Sequence, residues 1–303
     1  MRCASRPYKK KRKTLTKKVY NYDPTRTTGL RGSFAAAMKR RFRVLRGLIR
    51  EALTERDMLG GIAVQFEYTR SGDKVTAFME WLRRQVDQNI LYAQAIPQGG
   101  QAIERAWTDI YIRRAYEAGA VRGRQEMRAA GYKVPALAAA EVMTMPVHAD
   151  RAGVIYARVY EELRGITAQM DRDISRILAQ GMIDGDNPRT IARNINRTIN
   201  GGLDMEVKTR AGITRLIPAR QRAVMIARTE VIRAHHLANV QEMINWGVEG
   251  VFVKAEFRTA GDDRVCDECA DLDGNVYSMQ EAQALIPVHP NCRCIVLPIK
   301  NNQ

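Results

Sequence analysis

A chain of 303 residues with 45% hydrophobic and 27% charged side chains has enough apolar material for two or three folding units with ordinary cores. Its formal charge of +16 comes from one end: residues 1–50 carry 17 lysines and arginines against a single acid, Asp23, which leaves 32 bases and 32 acids for the rest. This excludes a uniformly basic surface, and no apolar stretch fits a signal peptide or reaches the ~18 residues of a membrane helix, so a soluble protein with a cationic arm is expected.

Residues 1–32 show no apolar periodicity and contain Pro7, Pro24, Gly29 and Gly32, a pattern that predicts an extended basic arm. Its densest part, Lys9, Lys10, Lys11, Arg12, Lys13, Lys17 and Lys18, suits sequence-blind, salt-sensitive contact with nucleic-acid phosphates, with an acidic protein partner as the alternative. From Ser33, a candidate N-cap, Met38, Phe42, Leu45, Leu48, Ile49 and Leu53 recur at helical spacing. Lys39, Arg40, Arg43, Arg46 and Arg50 on the other face continue the basic surface, and Arg40 and Arg43 join the candidate DNA contacts.

A helix is expected from Asp73 to the break at Pro97 to Gly100, and another from about Ala102 to Ala130 with Gly131 as its cap. The longest spans about Ala149 to Met182, where Ile155, Val159, Leu163, Ile166, Met170, Ile174 and Ile177 form one stripe, read as core rather than as an oligomerisation seam. Gly165 weakens this helix by about 1 kcal/mol unless a close helix contact requires it. Asn187-Pro188 starts a short helix to about Ile199, and a last long helix covers Ala219 to Trp246. Residues 251–258 alternate like a strand, and the run Ile295 to Ile299 is the expected partner. The fold class is therefore mainly α: an elongated helical body over 33–184, then a small α+β module over 185–303.

Four of the five cysteines fall between Cys266 and Cys294. Cys266 and Cys269 can offer two thiolates to one ion from a single turn, and His289 and Cys292 repeat that spacing, which together make a tetrahedral structural zinc site. Five candidates exceed four ligands, so one of His289, Cys292 and Cys294 is expected to stand aside; Cys294 can take the place of His289 because it shares a strand face with Cys292. Disulfides and inert buried thiols are the alternatives.

Ile226-Ala227-Arg228-Thr229-Glu230, Asp262-Asp263-Arg264-Val265-Cys266-Asp267-Glu268-Cys269, Leu272-Asp273-Gly274 and His289-Pro290-Asn291-Cys292-Arg293-Cys294 together resemble the phage head morphogenesis family, the Mu F-like minor head proteins of tailed phages, over roughly residues 185–298. The resemblance implies a minor head component near the portal, in contact with the portal protein, major capsid or scaffold protein and packaged double-stranded DNA. It further implies action in head assembly and genome packaging or ejection, in the virion after assembly in the host cytoplasm. No catalytic residue is assigned. The alternatives are a zinc-pinned nuclease or a DNA-binding regulator. The nuclease needs a histidine base where only His289 is near. A regulator would read DNA with a segment that here carries Asp267, Glu268, Asp271, Asp273 and Glu281.

Overall fold

The computed structural model of the protein describes residues 23–56, 58–59, 68–98, 101–201, 206–208, 214–216, 219–247 and 254–299. In chain order the elements are α1 (Thr28–Thr54), α2 (Tyr68–Asn89), β1 (Ala93–Gln98), β2 (Gln101–Ala106), α3 (Asp109–Ala129), α4 (Ala139–Val142), α5 (Pro146–Ile183) and α6 (Pro188–Gly201). They continue with β3 (Glu206–Lys208), β4 (Thr214–Leu216), α7 (Ala219–Gly247), β5 (Lys254–Arg258), α8 (Asp267–Leu272), β6 (Val276–Ser278), α9 (Met279–Leu285) and β7 (Ile295–Ile299). The chain is mainly α, as its periodicity predicts. Among the described residues no helix is long and apolar enough to cross a membrane.

Helix α7 is the axis of the molecule and packs along α3, α1 and α5. Its approach to α3 depends on two glycines. A Cβ at Gly119 would collide with the His235 carbonyl, and one at Gly123 would stand 2.6 Å from the Asn239 carbonyl oxygen. The α5 stripe is core: Ile155, Val159, Leu163, Ile166, Met170 and Ile174 are buried, with Ile177 packed at the edge. Gly165 faces open space, so no close contact requires it.

Several boundaries differ from expectation. The arm does not extend to residue 32, and Ser33 is no cap, because α1 already begins at Thr28. The Asp23 carboxylate accepts from the Thr25 N–H at 3.2 Å and from the Thr28 hydroxyl at 2.7 Å, and it pairs with Arg31 at 2.5 Å. This network organises the helix entry upstream of Gly29 and Gly32, and a Cβ added at either glycine would meet open space. α2 starts at Tyr68, ahead of Asp73. The helix expected from Ala102 begins only at Asp109, because β1 and β2 pair antiparallel, with Ile96 opposite Ile103. Gly99 and Gly100, the end of the expected break, lie outside the described residues. Gly131 does follow the end of α3 at φ 91°, and Asn187 caps α6 by accepting from the Thr190 N–H at 2.9 Å.

Buried residues of α1, α2, α3, α5, α6 and α7 form one cluster, with members on both sides of residue 184, so the core has no break there. A second cluster joins Ile232 and Val240 of α7 to Ala255, Phe257, Ala282, Ile286 and Val296. It covers an antiparallel sheet of order β6-β5-β7, in which Phe257 faces Val296. The pairing of β5 with β7 is the one the alternation predicts; residues 251–253 lie outside the described residues.

Candidate metal centre

The sequence between β5 and β7 folds into two turns that face each other. Cys266 is the N-cap of α8, and its sulfur accepts from the Cys269 N–H at 3.4 Å, which sets the two thiols on one side of the turn. In the second turn Asn291 takes φ 62°, a left-handed conformation that asparagine tolerates better than most residues, and the Cys292 N–H donates to the His289 carbonyl at 3.1 Å. Cys292 and Cys294, two residues apart in extended chain just before β7, are both buried.

The His289 Nε2 atom lies 3.2 Å from the sulfurs of both Cys266 and Cys269. Its Nδ1 lies 2.9 Å from the Pro290 carbonyl, which accepts a hydrogen bond from the Nδ1–H tautomer and leaves the Nε2 lone pair directed at the thiols. Two overlapping groups, Cys266, Cys269 and His289 on one side and Cys269, Cys292 and Cys294 on the other, each have their ligand atoms within 4.8 Å and are positioned to hold a metal ion. Cys269 belongs to both groups. Hydrogen bonds from the Cys269 and Cys294 thiols draw the Cys292 pKa well below the ordinary thiol value, while the bond to Cys292 keeps Cys269 protonated and raises its own. Sharing of protons among three packed sulfurs is the arrangement that an ion replaces on binding.

Charged and polar ties fix both turns. Asp262 receives a bidentate fork from Arg293, both bonds at 2.6 Å, and a further bond from Arg264 at 2.9 Å. The Arg293 hydrogen bonds hold the Asp262 carboxyl far below the usual range. Because Arg293 sits between Cys292 and Cys294 and Asp262 lies just upstream of Cys266, the fork clamps one turn to the other. Helix α7 supplies the backing: Thr229 Oγ1 accepts from the Asn291 N–H at 3.1 Å, His236 Nε2 donates to the Ala282 carbonyl at 2.8 Å, and Asn239 donates to the Val296 carbonyl at 3.4 Å. Glu230 pairs with Arg233 at 3.1 Å, as its i, i+3 spacing predicts, and with Arg158 of α5 at 3.4 Å. Arg228 is exposed and lines a polar cleft of 860 Å³ together with Arg31, Asp262 and Arg293.

Of the candidate DNA contacts, Arg40 and Arg43 are exposed on α1, while Lys9, Lys10, Lys11, Arg12, Lys13, Lys17 and Lys18 lie outside the described residues. A buried polar network escaped the sequence altogether. Glu242 of α7 accepts from Arg124 of α3, from His148 of α5 at 2.5 Å and from the Trp246 indole at 3.2 Å, and His148 bonds the Tyr116 hydroxyl at 3.2 Å. Burial acts to raise the Glu242 pKa, but the bonds from His148 and Arg124 prevail and hold it below the ordinary value. Burial raises Tyr116. The partners come from three helices, and no local pattern links them.

Residues 172–297 match the family model described as Phage Mu protein F like protein. No curated protein and no solved structure matches the chain. The matched stretch starts within α5 and ends in β7, so it takes in α6, α7 and all five candidate ligands. The match over residues 172–297 supports assignment to the phage head morphogenesis family, the same family that the motifs around Arg228, Asp262 and His289 resemble.

Proposed function

We propose that the protein is a minor head protein of a tailed phage, bound near the portal and in contact with packaged DNA, acting in head morphogenesis and in genome packaging or ejection. The observation that carries this reading is the family match over residues 172–297, which supports a phage head morphogenesis protein. In this reading the portal protein and the major capsid or scaffold protein are its partners, and it enters the virion from the host cytoplasm. The arm residues Lys9 to Lys18, with Arg40 and Arg43, contact duplex DNA without sequence preference.

The metal is zinc and its role is structural. Thiolate and imidazole donors in a sulfur-rich, largely buried cluster suit zinc, and a closed site cross-links chain rather than activating water. The chain's own groups position that cross-link: Pro290 orients His289, and the fork from Arg293 to Asp262 holds the turns in register. The protein is read as non-catalytic because His289, the histidine of the centre, faces two sulfurs. Quantitative mass spectrometry of gradient-purified particles tests the reading. A few copies per particle, far below the major head protein, is the expected result, and absence from particles overturns it.

A further inference from the structure

Helix α1 presents Lys39, Arg43, Arg46 and Arg50 at steps of four, three and four residues, which places them in one stripe. The fold sets α6 beside this stripe. Arg46 Nε donates to the Asn196 amide oxygen at 3.3 Å, and Asn200, with its amide oxygen turned toward the same guanidinium, accepts at 2.6 Å. Arg193 and Arg197 are one turn apart on α6, flank those asparagines and are exposed. Arg220, in the first turn of α7, completes the group. Burial lowers the Arg46 pKa, and the nearby charges of Arg220, Arg43 and Arg50 lower it further.

Two features separate this face from an ordinary solvated one. First, α6 contains no acid, α1 none before Glu51, and α7 none before Glu230. Among the described residues, Arg43, Arg50, Arg193, Arg197 and Arg220 have no acidic partner, and Arg46 is held by neutral amides that fix its position without cancelling its charge. On α5, by contrast, Arg158, Arg164 and Arg176 each pair with an acid three or four residues away. Second, among the described residues this face has no apolar anchor of the kind a protein interface is built around. None of the exposed large apolar side chains lies on α6, and Val44 of α1 points at least about 100° away from the stripe. Crowded guanidinium forks with no counter-charge complement a phosphate backbone.

We propose that the face formed by Arg43, Arg46, Arg50, Arg193, Arg197 and Arg220 is a binding site for the phosphate backbone of duplex DNA. The proposal deepens the DNA contact described above and rests on that reading, but it moves part of the contact from the arm to the folded helices. Each phosphate-bound cation contributes about one unit to the slope of log affinity against log salt.

The test uses the full chain and a short random-sequence duplex, followed by fluorescence anisotropy across a potassium chloride series. R43A/R50A and R193A/R197A are each expected to reduce the salt slope by about two and to weaken binding equally for different sequences, while R164A/R176A on α5 leaves the slope unchanged. All six substitutions lie at exposed side chains, and equal melting temperatures confirm that the variants fold. An unchanged slope in both patch variants overturns the proposal, as does failure of the wild-type chain to bind duplex. Loss of binding to polyglutamate with an unchanged DNA slope also overturns it, in favour of an acidic protein partner. A chain found in particles whose slope is insensitive to the patch removes this site and keeps the head assignment; a chain absent from particles whose slope falls does the reverse.

Discussion

In the helical body, phenylalanines, leucines and isoleucines from α1, α2, α3 and α5 are buried in one continuous cluster, whereas the buried cluster of the C-terminal module, residues 254–299, has ten members, of which three are cysteines and two come from α7. The body has enough apolar area to hold itself together. The module, a three-stranded sheet with two short helices, has little, and depends on Cys269 and its neighbours, on the clamp from Arg293 to Asp262 and on its hydrogen bonds to α7. In the proposed function the same division holds: a module cross-linked by a metal would be a firm docking feature at low mass, while the helices would carry the DNA-binding face.

The largest effect is expected at the thiol shared by both ligand groups. Cys269→Ser is expected to cost several kcal/mol, on the order of 5, and to confine the damage to residues 254–299. Limited proteolysis followed by mass spectrometry would show new cleavage there with the body intact; cleavage in α3 or α5 at the same rate would contradict the division. The opposite experiment acts on the body alone. Gly119→Ala forces a Cβ against the His235 carbonyl and should lower unfolding stability by about 2 to 3 kcal/mol, read from the urea midpoint, with metal content unchanged.

Acid sharpens the contrast further. Burial pushes the His235 pKa from 6.5 down to about 3, so the imidazole stays neutral in the folded chain and takes a proton readily only on unfolding. Its contribution is therefore complete above pH 6.5 and is lost as pH falls toward 3, at up to about 1.4 kcal/mol per pH unit. His235→Gln should flatten that part of the stability curve in urea titrations at stepped pH; an unchanged slope counts against the burial. The smallest effect is expected at Asp262→Asn, about 1 kcal/mol after solvent screening of a partly exposed pair, seen as a lower melting temperature for the module alone.

Much of this architecture was legible in the sequence because it rests on local signals. The α5 stripe, the Asn187 cap, the Gly131 end and the alternation that pairs β5 with β7 each reside in one short window. The facing cysteine and histidine turns were legible because the spacing of those residues is itself the geometry that brings them together. What was hidden depends on partners distant in sequence. Glu242 meets His148 and Arg124 across 94 and 118 residues, and Gly119 matters only because α7 crosses it. The pairing of β1 with β2 was missed because Pro97 and two glycines read as a break. The basic face was half visible: α1 shows its stripe, but only the packing of α6 brings Arg193 and Arg197 beside it.

Hydrogen–deuterium exchange of the full chain before and after metal chelation tests the division of forces most directly. Chelation is expected to accelerate exchange across residues 254–299 and to leave α1, α3, α5 and the buried length of α7 protected. Equal acceleration in the body, or none in the module, would contradict that division.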